Sequence, residues 1–378
     1  MKKIHLKTIT FLSLFSLTVL TANAQQNDDL LNMLIKKNIL TQQEADSIRA
    51  DQAIKARKKL DDEKKNQHGI FIGSRALQLS GLVQSEYAGY QATSDVNSFS
   101  LHRARIDVKG DINDRWNYEV YTEFAGAPKL LDVYTTYTIA DFLKFSAGQY
   151  KVPFSFENLI ADSQLEFIDR TQVVNALSGR SGDVIGNQNG RDIGAWISGS
   201  FAKINGQYFF DYTLGVYNGA GYDVTTDNNN RKDIAGRFGI HPARNLVVSG
   251  DFYNGVGNYG TPAKNQTRNR YGFDARYTIG GLTLQAEYDH GTDGTIQRNG
   301  WYGQASYFVI PKHLQLAARY DTYDPNEASG NARATYYYYA VNYFFNSWAK
   351  LAVNYIDKHE PVTQVKNNII EVQLQVAF

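Results

Sequence analysis

The sequence predicts an all-β chain, a transmembrane up-and-down antiparallel β-barrel of about 16 strands, with a short N-terminal helical segment ahead of it. Three observations predict it. Apolar and polar residues alternate with a period of two from residue 77 to residue 378. The joins between the alternating runs are long and short in turn, as they are when a barrel has a loop side and a turn side. Charged residues keep to one parity within the runs, which is required if the other parity faces hydrocarbon, where a mid-depth Arg or Lys costs roughly 2–4 kcal/mol.

The N-terminus comes first. Lys2, Lys3 and Lys7 precede an apolar run over residues 9–20, and Ala22, Asn23 and Ala24 follow it. This is the layout of a secretory signal cleaved after Ala24, so residues 1–24 are expected to be removed. The run is shorter than the roughly 20 residues a bilayer-spanning helix needs. No other stretch is long and apolar enough, so membrane residence would have to be by barrel or by surface contact.

Composition narrows the class. The 378 residues contain no cysteine, which excludes disulfides, thiolate metal sites and Cys nucleophiles together. The signal takes three of the 39 Lys+Arg and none of the 38 Asp+Glu, leaving a slightly acidic chain for which no nucleic-acid partner is expected. Tyr (26), Phe (20) and Gly (31) far outnumber Met (2) and Pro (7), a balance that favours strands over helices. The mean hydropathy of −0.43 flags no membrane protein. A barrel hides from such a measure because only every second residue meets lipid.

Residues 25–68 read as helix in a periplasmic segment. They are rich in both signs of charge and hold neither glycine nor an aromatic ring. Thr41-Gln42-Gln43-Glu44 has the capping-box pattern, in which hydroxyl and carboxylate each satisfy a free backbone N–H. Leu30, Leu31, Leu34 and Ile35 mark a short amphipathic helix before it, and Ala45, Ile48, Gln52, Ala56 and Leu60 a weak seam after it. The segment is either a short trimerising coiled coil or a solvated lead-in.

The barrel is expected over residues 69–378. In its first strand, Leu77, Leu79, Val83 and Tyr87 oppose Gln78, Ser80, Gln84 and Glu86. In the second, Arg103, Arg105, Asp107 and Lys109 share one face and Ala104, Ile106 and Val108 the other. The third sets Trp116, Tyr118, Val120 and Thr122 against Asn117, Glu119 and Glu123, and later runs behave alike. Turn residues mark short joins near Asp141, Gly206, Pro242, Gly280, Pro311 and Asn346. Long joins are expected at 92–97, 125–129, 153–190, 218–230, 255–267, 291–300, 325–332 and 359–365. Trp116, Phe124, Tyr277, Trp301 and Trp348 suit the aromatic girdles of the membrane interfaces. The last strand alternates Ile370, Val372, Leu374 and Val376 with Glu371, Gln373 and Gln375 and ends on Phe378, like the C-terminal signal of outer-membrane barrels.

Three stretches carry a resemblance: Leu101-His102-Arg103-Ala104-Arg105, then the run from Gly148-Gln149-Tyr150-Lys151 through Val152-Pro153-Phe154-Ser155-Phe156-Glu157, and Phe167-Ile168-Asp169-Arg170-Thr171. They resemble the porin O and P family, often called phosphate-selective porins, over nearly the whole chain after the signal. The resemblance implies a homotrimeric barrel in the bacterial outer membrane whose third outer loop folds inward and narrows the pore. The long join at 153–190 stands where that loop belongs. Rings of one charge are how pores select ions, and the candidates for a cationic constriction are Arg103, Arg105 and Lys109 with Lys151, Arg170 and Arg180. The competing reading is that these pair with Asp107, Glu157, Glu166 and Asp169 and merely hold the loop to the wall.

The function expected is passive diffusion of small hydrophilic solutes among outer-membrane lipid and without a cofactor, with the preference for anions or phosphate that the resemblance implies. The alternatives are a surface-binding or structural barrel with a closed lumen and, further off, a barrel hydrolase. Seven histidines are scattered without metal-ligand spacing, and no nucleophile elbow or paired-carboxylate motif occurs.

Overall fold

The computed structural model describes residues 33, 36–37, 41, 44–45, 72–363 and 365–378. Contacts divide the chain into two units, residues 1–67 and 68–378. In the first, the expected capping box is formed: the Thr41 backbone N–H donates to Glu44 Oε2 (2.8 Å) and the Glu44 N–H to Thr41 Oγ1 (3.3 Å). The expected signal at 1–24 and the remainder of the helical segment lie outside the described residues.

The second unit is built of strands β1 (Ile72–Ser74), β2 (Leu77–Tyr90), β3 (Ser98–Asp111), β4 (Trp116–Glu123), β5 (Lys129–Ala140), β6 (Leu143–Lys151), β7 (Arg191–Ile204), β8 (Gln207–Tyr217), β9 (Asp233–Ala243), β10 (Leu246–Tyr259), β11 (Lys264–Ile279), β12 (Leu282–Asp293), β13 (Ile296–Ile310), β14 (Leu314–Asp324), β15 (Ala334–Phe344), β16 (Ala349–His359) and β17 (Ile369–Ala377). From β2 onward each strand pairs antiparallel with the next, and β17 returns to pair with β2 along Ile369↔Tyr90 to Ala377↔Leu82. Sixteen strands therefore close without an edge, which is the one way a sheet can satisfy all its backbone groups in hydrocarbon. Among the described residues no helix is long and apolar enough to cross a membrane.

The packing is inverted relative to a water-soluble domain. Phe273 is 62 % exposed while its neighbour Asp274 is 4 % exposed, and Leu374 is 47 % exposed between Gln373 (2 %) and Gln375 (6 %). The same holds around the wall: Leu284, Leu316, Val341 and Tyr355 face out, and Gln285, Gln315, Asn342 and Asn354 face in. Trp116, Phe124 and Trp348 lie exposed at strand ends, where girdles belong, whereas Trp301 is exposed five residues inside β13 and Tyr277, near the end of β11, is half-buried.

The C-terminal seam depends on one glycine. Gly81 exchanges backbone hydrogen bonds with Phe378 (2.6 and 2.9 Å), and a Cβ at Gly81 would stand 2.5 Å from the Phe378 ring. The terminal aromatic is thus seated over a position that no other residue type could occupy without moving it.

Two long joins expected from polarity are corrected. Residues 255–267 and 291–300 are mostly ladder: β10 and β11 stay paired out to Tyr259↔Lys264, and β12 and β13 to Asp293↔Ile296. Polar composition does not end a strand once the wall has left the bilayer, because hydrogen bonding continues between solvated edges. The alternation of β3 also slips. A bulge opposite Gln84 and Ser85 places His102 beside Arg103 on the lumen side and turns Leu101 and Phe99 outward.

Candidate functional site

The join at 152–190, between β6 and β7, folds into the barrel. It carries two short helices, α1 (Phe156–Leu159) and α2 (Gln172–Leu177), and a 3-10 turn at Asp162–Gln164. Apolar side chains give it a core of its own: Phe154, Val173, Val174 and Leu177 pack with Trp196, Tyr217, Tyr253 and Tyr302 of the wall.

Polar contacts fix it to the far wall. Arg319 of β14, fully buried, reaches Glu157 Oε1 (2.7 Å) and the Asp169 carbonyl (2.9 Å) while stacked on the Phe167 ring at 4.2 Å. Glu287 of β12 accepts the backbone N–H groups of Phe156 (2.8 Å) and Glu157 (3.0 Å), and Asp321 that of Gln172 (2.9 Å), so both helix starts are capped from the wall. Arg276 binds Glu166 at 2.7 Å, and Arg268 of β11 binds Asp183 at 2.7 Å.

On the near wall the charges differ. Asp162 is contacted by Arg105 (2.5 Å), Arg170 (2.8 Å) and Arg103 (3.5 Å). Burial pushes the Asp162 carboxyl up, but Arg103, Arg105, Arg170 and Arg180 outweigh it and hold the group well below the usual carboxylate range. Arg105 also binds Glu123 (2.6 Å), and Arg191 grips Asp132 with two bonds of 2.8 and 2.7 Å. Among the described residues, Lys151 donates to the carbonyls of Leu159 (3.2 Å) and Ile160 (2.8 Å). Arg180 binds Asn158 (2.9 Å) and leaves its Nη2 without a hydrogen-bond partner among the described residues. A polar cavity of about 340 Å³ opens here between loop and wall, lined by Arg103, Arg105, Lys129, Arg170 and Arg180 with Glu123 and Asp169.

The ten residues singled out in the sequence therefore separate into groups. Arg103, Arg105, Arg170 and Arg180 meet around Asp162, with Lys151 at the foot of the loop. Lys109 instead pairs with Asp107 (3.1 Å), turn-ward along the same face of β3. Glu157 and Glu166 pair with Arg319 and Arg276, and Asp169 lines the cavity. Of the ion pairs in the competing reading, Lys109–Asp107 is formed. Arg103 and Arg105 pair with Asp162 of the loop and Arg105 also with Glu123, while Glu157 and Glu166 of the loop pair with Arg319 and Arg276 of the far wall. Asp162, Glu123 and Arg191 carry no signal in the sequence, because the partner of each is set by barrel closure and by the path of the loop.

A closed antiparallel barrel with an apolar exterior, a charged interior and a long loop tucked inside defines the class of outer-membrane channels. The chain belongs to the family described as phosphate-selective porin O and P, whose profile matches residues 77–378. It is an outer-membrane porin of bacteria, and the family and its neighbours point to a channel rather than an enzyme. Solved structures share the fold. The anion-selective porin from Comamonas acidovorans is similar at a TM-score of 0.59 and 14 % identity, over 80 % of this chain and 99 % of that one. OmpF of Salmonella typhi, in complex with daunomycin, gives 0.58 and 12 % over 82 % and 100 %. The trimer form of OmpT, an outer membrane protein of Vibrio cholerae, gives 0.57 and 15 % over 80 % and 99 %. No curated protein sequence matches the chain.

Proposed function

We propose that this porin passes small hydrophilic anions, phosphate among them, through the gap between the inward loop and the wall of β2 to β7. One observation carries the reading. The cavity is lined by the five cations Arg103, Arg105, Lys129, Arg170 and Arg180 against the carboxylates Glu123 and Asp169, with Asp162 bonded to three of the arginines. The excess positive charge, in a confined space of low effective dielectric, attracts anions and repels cations. Guanidinium groups suit phosphate because they offer paired donors to its oxygens. In this reading the loop at 153–190 sets the size limit, and no energy source or cofactor is involved. Residues 1–24 are the export signal and 25–68 a periplasmic segment. The assembly is a homotrimer, by likeness to the trimer form of the Vibrio cholerae protein.

Neutralising the wall half of the cluster tests the reading. The double variant Arg103→Gln, Arg105→Gln is expected to lower the anion-to-cation permeability ratio several-fold, read as a shift of reversal potential in a KCl gradient across a planar bilayer. An unchanged reversal potential would remove both arginines from the filter.

A further inference from the structure

We propose that the cavity between the inward loop and β3 binds phosphate monoesters that carry several hydroxyl groups, such as a hexose phosphate. The inference rests on the anion-passing reading above and names the solute class that fits the same site. Size comes first. A volume of about 340 Å³ equals about eleven waters at roughly 30 Å³ each, and a bare phosphate fills only a few of these. The lining then shows what the rest of the solute is.

Two kinds of side chain share the cavity. Arg103 of β3 and Lys129 of β5 face it from the wall, and the exposed Lys129 ammonium makes no ion pair among the described residues. Such cations suit a phosphoryl group. The loop contributes neutral donors and acceptors in Asn175, Ser181, Asn187 and Asn189. Backbone bonds gather them: the Gly179 carbonyl accepts the N–H groups of Gln188 (2.8 Å) and Gly190 (3.0 Å), which lays residues 187–190 beside 179–181. Asn187 Oδ1 accepts the Asn189 N–H (3.0 Å), and Asn189 takes a φ of 50°, a left-handed conformation that Asn adopts readily. Ser181 and Asn187 are exposed and Asn175 and Asn189 half-buried, so their polar atoms have open space beside them. The acids separate an ester from bare phosphate. Glu123 is spent on Arg105 (2.6 Å) and on the N–H groups of Ala104 (2.8 Å) and Ala125 (2.9 Å), whereas Asp169 lines the cavity half-buried. A carboxylate beside the cations repels a bare phosphate, but it accepts hydrogen bonds from hydroxyl groups. Cations, amides, a hydroxyl and a carboxylate together complement a solute that is both an anion and a polyol.

The test records chloride current through the full-length porin in a planar bilayer while glucose 6-phosphate, inorganic phosphate or glucose is added. Glucose 6-phosphate is expected to halve the current at a concentration about tenfold below that of inorganic phosphate, and glucose to leave it unchanged. Ser181→Ala combined with Asn187→Ala should weaken block by the ester about tenfold and leave block by phosphate as it was. Asp169→Asn should strengthen block by phosphate and so narrow the difference between the two. The proposal falls if phosphate or glucose blocks wild type as well as the ester does, or if both variants keep the wild-type ratio. An anion-selective wild type without preference for the ester would sink this inference alone. A cation-selective wild type would sink the anion-passing reading and this inference with it.

Discussion

Arg319→Met is expected to unseat the inward loop. Arg319 and Glu157 are both buried, and the same guanidinium also holds the Asp169 carbonyl and stacks on Phe167. Removing one partner of a buried pair strands the other charge, at a cost of about 3–5 kcal/mol. The barrel itself survives, because its ladder does not pass through this contact. The loss should therefore appear in loop protection and in the pore: faster proteolysis within 152–190, and a larger, noisier single-channel conductance. Adding Glu157→Gln should restore most of the stability, since deleting both charges costs far less than deleting one. An unaltered conductance and cleavage pattern in Arg319→Met would show that the apolar packing and the remaining wall contacts hold the loop without Arg319.

The second large effect is expected at Asp162. It is the carboxylate that Arg103, Arg105 and Arg170 share, and it ties the loop to the near wall. Asp162→Asn at pH 7 should cost about 3 kcal/mol in unfolding free energy and at the same time strengthen the anion preference, because one negative charge leaves a positive cluster. The pH dependence has a fixed sign. The folded carboxyl is depressed, so its contribution is complete above the unfolded value of about 3.9 and is lost as pH falls through the lower folded value. The stability gap between wild type and Asp162→Asn should therefore be constant from pH 8 to pH 5 and close only in strong acid. A gap that closed near pH 6 would mean that the arginines do not hold this group charged.

Much of the barrel was legible because lipid imposes a rule on every second residue. β3 shows both the strength and the limit of that rule. Arg103, Arg105 and Asp107 fall on the lumen face as the alternation requires, but the bulge at His102 reverses the parity of Leu101 and Phe99. No local pattern announces a bulge whose cause is the register against β2. The hairpins at β10–β11 and β12–β13 look like loops in the sequence because Asn265, Gln266, Thr292 and Gln297 are polar, although strands that leave the membrane need no apolar face. The site was legible in its residue types but not in its pairings. That Arg103, Arg105, Arg170 and Arg180 gather together follows from a long join placed after β6. That Asp162 sits among them, and that Glu157 belongs to Arg319 more than 160 positions away, depends on how the loop lies across the lumen.

The central claim is that a polar interior, biased positive at its narrow part, conducts ions through an apolar shell. Its most direct test is the reversal potential of the wild-type protein in a planar bilayer under a tenfold KCl gradient. Stepwise insertion of ohmic channels is expected, with a reversal potential displaced toward the chloride equilibrium value. A barrel that inserts but carries no current, or one whose reversal potential moves toward the potassium value, would contradict it.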